Sequence, residues 1–366
     1  MLILPPSGHP ISLLHRPNPI KTLPSGRPPR LLLVQIAGIG DLVLATPAIH
    51  ALRERYPEAT IDLLTTPRCE GLLAVHPAIR RVFPFDITSF RNPVRLADPA
   101  ILARLRQQVE PVRAMRYDAL LSLNNVASTR GGFTLGALLL WLDVPLWVGR
   151  NTEGRAPYFD RELRERLGEG RHEVRVKLRL AALLNADPAP RPLDLAVTDN
   201  EREAVRTKLP EHKPHVALLP GKQDPSRAWP RASFEAIGML LIQEGYHVLV
   251  LGGDAEAGVL RDHDRDEDAP VTNLAGRLSL RESAAVLSRC HLAVAADTGP
   301  MHIAAAMGTP LVTVMEQAYR NRFHPWMDDA RCRCLSPGPG RSVHEITVEQ
   351  VWDAVHDLTG KRKNGE

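Results

Sequence analysis

From Arg30 onward, short apolar runs alternate with stretches whose apolar residues recur every three to four positions. That is the pattern of β-α-β units winding a parallel sheet. In the first half the runs predict strands near Leu31–Ile36, Ile61–Thr65, Arg81–Phe85, Ala119–Leu123 and Leu146–Gly149. Helical spacing falls on Ala48–Tyr56, Ala100–Met115 and His172–Leu184; in the first of these Ile49, Leu52 and Tyr56 share one face and Arg53, Glu54 and Arg55 turn away from it. The longest apolar stretch, Phe133–Gly149, is broken by Asp143 and Pro145. It falls short of the ~20 apolar residues of a membrane span and reads as a buried helix followed by a strand. The pattern then restarts with strand Val216–Leu219, helix Phe234–Gln243, strand His247–Leu251, helix Ser283–Ser288 and strands Leu292–Ala296 and Leu311–Val314. Pro188, Pro190 and Pro192 mark Asn185–Asp199 as the linker. The expected fold class is α/β: two doubly wound, Rossmann-like domains facing across a cleft, over residues 30–190 and 191–366, after a Pro-rich lead-in at residues 1–29. Whether the last helix packs back on the first domain stays open.

Composition narrows the class. The chain has 366 residues, 44% hydrophobic and 24% charged, a balance that supports two globular cores. The lead-in carries only Arg16, Lys21 and Arg27, and has neither the basic start nor the continuous apolar core of a signal peptide. Four cysteines are too few for a disulfide scaffold in a chain of this length, and Cys332-x-Cys334 has no second pair to complete a tetrahedral metal site. A reduced, cytoplasmic protein is expected. The net charge of +4 is uneven: residues 30–195 hold 23 Lys/Arg against 18 Asp/Glu, and residues 196–366 hold 20 against 24. This is either ordinary surface variation or a first half that meets an anionic partner. No basic cluster interleaved with aromatics argues for nucleic acid.

Three polar turns interrupt the apolar pattern where strands end. In AADTGPMHIAAAMGTP, Asp297 closes a strand and Thr298-Gly299-Pro300 turn the chain into a helix through Ile303–Met307. A helix N-terminus with its unpaired N–H groups suits a phosphate, and Gly299 would let backbone approach a diphosphate; alternatively Asp297 or Thr298 only caps the helix. In PGKQDPSRAWP, Lys222 and Arg227 are placed to neutralise a diphosphate, unless the loop is merely solvated. Gly38-Ile39-Gly40-Asp41 invites a dinucleotide reading, but the third glycine position holds Val43 and the candidate ribose acid, Asp62, lies inside a strand. Asp41 is then a helix cap or a general base facing the cleft. The acidic run Asp262–Asp268 contains Asp-x-Asp spacings but reads as a solvated loop and not as a metal site.

The segments QIAGIGDLVLATPAIHALRERYP, LLPGKQDPSRAWPRASFEAI, the Leu251-Gly252-Gly253-Asp254 turn and AADTGPMHIAAAMGTPLV together resemble glycosyltransferase family 9. That family includes the ADP-heptose:lipopolysaccharide heptosyltransferases. RHEVRVKLRLAALL and HEITVEQVWDAV fit as well, so the resemblance covers most of residues 30–358. It implies a GT-B fold, with an acceptor-side first domain and a nucleotide-sugar-binding second one. It further implies inverting transfer of a sugar, a heptose from ADP-heptose, to a lipopolysaccharide core or related surface glycan. The nucleotide-sugar is a co-substrate, with no cofactor and no metal. On this resemblance Asp41 is the base, and Asp297, Thr298 and Gly299 cradle the diphosphate with Lys222 and Arg227. Arg227 stands where the family usually has lysine, which keeps the charge but changes its geometry. Gly252, Gly253 and Asp254 border the nucleoside, with Glu256 a candidate for its ribose. Gly38 and Gly40 serve as turn glycines. His302 either packs under the Asp297 turn or touches the donor sugar. An anionic, membrane-anchored acceptor implies peripheral contact with the inner membrane surface. A nucleotide-sugar epimerase or hydrolase of the same fold, and a non-catalytic nucleotide-sugar-binding protein, are the alternatives.

Overall fold

The computed structural model describes residues 22–90, 98–166, 170–210, 213–221, 228–264 and 269–360. After β1 (Arg30–Gln35) comes a five-residue helix, α1 (Ile39–Val43), and then α2 (Thr46–Arg55), β2 (Thr60–Thr65) and β3 (Arg81–Pro84). Next are α3 (Pro99–Arg113), β4 (Ala119–Ser122), α4 (Thr129–Leu142), β5 (Leu146–Thr152), β6 (Arg161–Glu165) and α5 (Glu173–Ala182). The second half runs α6 (Asp199–Arg206), β7 (His215–Leu219), α7 (Arg231–Gln243), β8 (His247–Val250), β9 (Val271–Asn273) and α8 (Leu280–Leu287). It ends with β10 (Leu292–Ala296), α9 (Gly299–Ala306), β11 (Leu311–Val314), α10 (Gln317–Phe323), β12 (Cys332–Leu335) and α11 (Val348–Thr359).

The chain forms two compact units, and the division does not follow chain order. The first comprises Met1–Gly38 and Ala45–Arg191; the second comprises Ile39–Leu44 and Pro192–Glu366. The short helix α1 thus belongs to the second unit, although its sequence neighbours belong to the first.

The first unit holds a six-stranded sheet of order β3-β2-β1-β4-β5-β6, parallel throughout. Leu32, Val34, Leu64 and Leu120 from its inner strands join Leu138, Leu139 and Trp147 in one core. Asp62 is fully buried in β2, where it accepts hydrogen bonds from Arg80 and, at 2.6 Å, from the Tyr117 hydroxyl. Burial and that bond push the Tyr117 pKa up. Asp62 is thus a structural anchor inside its strand. The described end of the lead-in is tied to the same unit, since Arg27 donates to Asp118 at 2.8 Å.

The second unit repeats the design with order β12-β11-β10-β7-β8-β9, again all parallel. Val216, Leu218, Val248, Val250, Val294 and Val312 form the sheet side of its core, against Trp229, Phe234 and Ile237. The last helix, α11, contributes Val351 and Val355 to this core. Its ends are sharply set: Thr347 forms a capping box with Gln350, and Gly360 stops it in the left-handed region at φ 69°. No described helix is long and apolar enough to cross a membrane.

Candidate functional site

In each sheet the strand order reverses beside the first strand: at β1/β4 in the first unit and at β7/β10 in the second. Ligands of open α/β sheets bind at the carboxyl ends of such strands. All three polar turns of the sequence lie at strand ends of this kind. The structure finishes the two ends differently.

At β7/β10 the residues are small and one side-chain hydroxyl is left unpaired among the described residues. Thr298 is the N-cap residue of α9, with φ −142° and ψ 165°, but its side chain makes no capping hydrogen bond. The buried Thr298 Oγ1 has no hydrogen-bond partner among the described residues. A capping hydroxyl is therefore not what this threonine provides to the fold. Pro220 and Gly221 follow β7, and Gly221 sits at φ 67°, where other residues are strained. A Cβ on Gly221 would lie 1.9 Å from Thr298 Cγ2, so glycine lets the two strand ends touch. Lys222 and Arg227, expected in the continuation of this loop, lie outside the described residues. Asp297 is half-buried and close enough to Cys334 for its charge to help burial raise that thiol's pKa.

Helix α1 completes the cluster within the second unit. A Cβ on Gly40 would meet the His302 ring, 2.5 Å from Cδ2, and a Cβ on Gly299 would lie 2.7 Å from Ile39 Cβ. Neither Gly38 nor Gly40 has a positive φ, so Gly40 is required for close approach and not for a turn. Gly299 faces α1 as well, and its missing side chain makes room for Ile39 in addition to whatever its amide binds. His302 is 4% exposed, packed against Gly40. Asp41, next to Gly40, is half-buried.

A second cluster follows β8, the strand beside β7. Gly252 has φ 152°, and a Cβ there would lie 2.9 Å from Glu256 Oε2. Glu256 is 6% exposed, under the turn of Gly252 and Gly253. Asp254 is exposed and lies over Gly276, whose absent Cβ would fall 2.0 Å from Asp254 Oδ1. Cys332 and Cys334 lie on β12 as free thiols. Burial pushes Cys332 up to about 12, which keeps it protonated at neutral pH. Among the described residues no group of three or more His, Cys, Asp or Glu is placed to hold a metal ion.

At β1/β4 side chains close the strand ends. Asn124 Oδ1 accepts the Ile36 N–H at 2.8 Å, and its Nδ2 donates to the Val34 carbonyl at 3.0 Å. Lys177, fully buried, donates to the Leu123 carbonyl at 3.1 Å. Its charge is matched in a buried network: Glu173 lies 3.6 Å from Lys177 and 3.1 Å from Arg150, which also pairs with Glu165. Beside this closed end opens a cavity of about 430 Å³ lined by Ile36, Asn125, Ser128, Arg130 and Thr134. The buried Asn125 Oδ1 has no partner among the described residues. These residues were not singled out from the sequence; the signal was the polar Asn-Asn pair ending an apolar strand in ALLSLNN.

The profile of glycosyltransferase family 9 (heptosyltransferase) matches residues 103–352, more than half of the chain. Lipopolysaccharide heptosyltransferase 2 of Salmonella typhimurium is 25% identical over 358 residues, covering 90% of this chain and 98% of its own. The structure of E. coli ADP-heptose lps heptosyltransferase II superposes with a TM-score of 0.72 at 22% identity, over 91% of this chain and 99% of its own. E. coli heptosyltransferase WaaC with ADP superposes with a TM-score of 0.70 at 20% identity, over 90% of this chain and 99% of its own. At those identities the two structures establish a shared fold.

Proposed function

The chain belongs to glycosyltransferase family 9 and has the GT-B fold; from that premise we propose that it moves a heptose from ADP-heptose to a lipopolysaccharide core or a related bacterial surface glycan, with inversion. The observation that carries the reading is the Thr298 hydroxyl, buried at the uncapped first turn of α9 and unpartnered among the described residues. An unpaired buried hydroxyl costs about 1–3 kcal/mol, a cost that a bound diphosphate would remove.

In the proposed reaction an acceptor hydroxyl attacks the anomeric carbon while its proton passes to the Asp41 carboxylate. The new C–O bond forms as the bond to the diphosphate oxygen breaks, and ADP leaves with one more negative charge. The α9 amides and the Thr298 hydroxyl would stabilise that charge, joined by Lys222 and Arg227 on the family resemblance. No step calls on a metal or cofactor. Glu256 and the Gly252-Gly253-Asp254 turn would take the nucleoside. The cavity beside Asn125 and Arg130 would receive part of the acceptor, and the basic first half suits an anionic glycolipid at the cytoplasmic face of the inner membrane. Both partners of the reaction, donor and glycolipid, are thereby assigned to opposite units.

Asp41→Asn is the test. ADP release from ADP-heptose in the presence of lipopolysaccharide inner core should fall by ~10² or more, with ADP affinity little changed. Undiminished turnover would reduce Asp41 to a helix residue. Incubating ADP-heptose alone separates the rival chemistry, because an epimerase or hydrolase converts it without acceptor and a transferase leaves it intact.

A further inference from the structure

The base proposed for the reaction stands on α1, and what fixes α1 lies across from it on α9. The two helices approach so closely that glycine is the only residue that fits at both crossing points, Gly40 against His302 and Gly299 against Ile39. These contacts are of different kinds. At Gly299 the obstacle is Ile39 Cβ at 2.7 Å, an atom every residue but glycine carries. At Gly40 the obstacle is a removable ring: His302 Cδ2 at 2.5 Å and Nε2 at 3.2 Å from the Cβ position. The ring is buried and cannot swing into solvent to make room. Asp41 is the next residue along α1. Any displacement of Gly40 therefore shifts Asp41 relative to the first turn of α9, where the diphosphate is proposed to bind.

We propose that His302 is a positioning residue: its imidazole, seated against Gly40, sets the distance between Asp41 and the diphosphate-binding turn of α9. The inference rests on the reading of Asp41 as base. It assigns His302 no proton transfer; the effect is steric and is passed through one glycine. An error of about an ångström in the placement of a catalytic group costs about 10²-fold in rate, so a ring that defines this distance acts on kcat and leaves nucleotide binding alone.

The test adds a methyl group and then makes room for it. Gly40→Ala pushes against the ring, and turnover should fall at least tenfold while ADP affinity, measured by calorimetry, stays within twofold. Retained ADP binding also reports that the second unit is folded. His302→Ala should lower kcat and leave ADP affinity within twofold. In the His302→Ala background, adding Gly40→Ala should change kcat by less than twofold, because the ring it would strike is gone. This last comparison does not require the single Gly40→Ala variant to fold. A further tenfold loss in that background overturns the proposal, as does a His302→Ala variant whose ADP affinity falls tenfold, which would make His302 a ligand contact. Wild-type turnover in Gly40→Ala overturns it too. Undiminished turnover in Asp41→Asn, which leaves the Gly40–His302 contact intact, marks failure of the underlying reading and removes this inference with it.

Discussion

The two sheets wind alike and end unlike. At β1/β4, Asn124 and Lys177 occupy the backbone groups that a ligand would otherwise use. At β7/β10, Gly221 and Thr298 meet through a glycine and a methyl group, and the Thr298 hydroxyl has no partner among the described residues. A sheet that spends its strand-end polar groups on itself becomes a rigid wall with a cavity beside it. At the other end the Thr298 hydroxyl is left unspent among the described residues, where the diphosphate is proposed to bind. The same topology is thus finished in two ways, and the difference lies in a handful of side chains.

The largest effect should come from breaking the wall. Glu173→Ala leaves Arg150 and Lys177 buried without their shared anion, which should cost ~3–5 kcal/mol of stability by denaturant unfolding. ADP affinity of the folded fraction should not change. Asn124→Ala is next, because it leaves the Ile36 N–H unpaired; a loss of ~1–3 kcal/mol is expected, again with ADP binding intact. In the second unit the response should invert. Thr298→Val keeps the methyl against Gly221 and removes only the hydroxyl. Its melting temperature should hold or rise, while the ADP dissociation constant rises about ten- to a hundredfold, the worth of one hydrogen bond to a charged group. A Thr298→Val variant that loses stability and keeps its affinity would erase the contrast.

Acid should separate the units most gently. Burial, with the neighbouring His215 adding to it, holds His247 down at about 4, below its ordinary value of 6.5. The unfolded chain takes up this proton first, so the contribution is present above about pH 6.5 and is lost as the pH falls toward 4. Thermal scans across that window should show the melting temperature dropping less in His247→Gln than in the wild type.

The sequence made the central strands legible and hid the edges. Every strand with neighbours on both sides holds an apolar run, and the pattern marks β1, β2, β4, β5, β7, β8, β10 and β11; β5 alone continues three residues past its run, through Arg150, Asn151 and Thr152. Of the four edge strands, only β3 was foreseen. β6 reads RELRE, β9 has three residues, and β12 reads CRCL and is half-exposed along its length. An edge strand meets water along one side and needs little apolar sequence. Helix α6 was hidden for a similar reason: DNEREAVR buries only Val205 and is announced by its Thr198 capping box. The polar turns stood out because they interrupt apolar strands. The reason for their glycines did not, since close approach between Gly40 and His302 joins residues far apart in the chain and leaves no local pattern.

The grouping of Ile39–Leu44 with residues 192–366 bears on how this enzyme can be recombined with its relatives. The proline-rich stretch near residue 191 looks like a natural place to join halves of two homologues. A chimera cut there would inherit α1 from one parent and α9 from the other, and two surfaces matched to the width of a missing side chain would come from separate lineages. Parents that differ at position 39, 40, 299 or 302 should then yield hybrids that fold, bind nucleotide and turn over poorly. Exchanging the six residues of the α1 segment together with the second half is the design that keeps this unit whole.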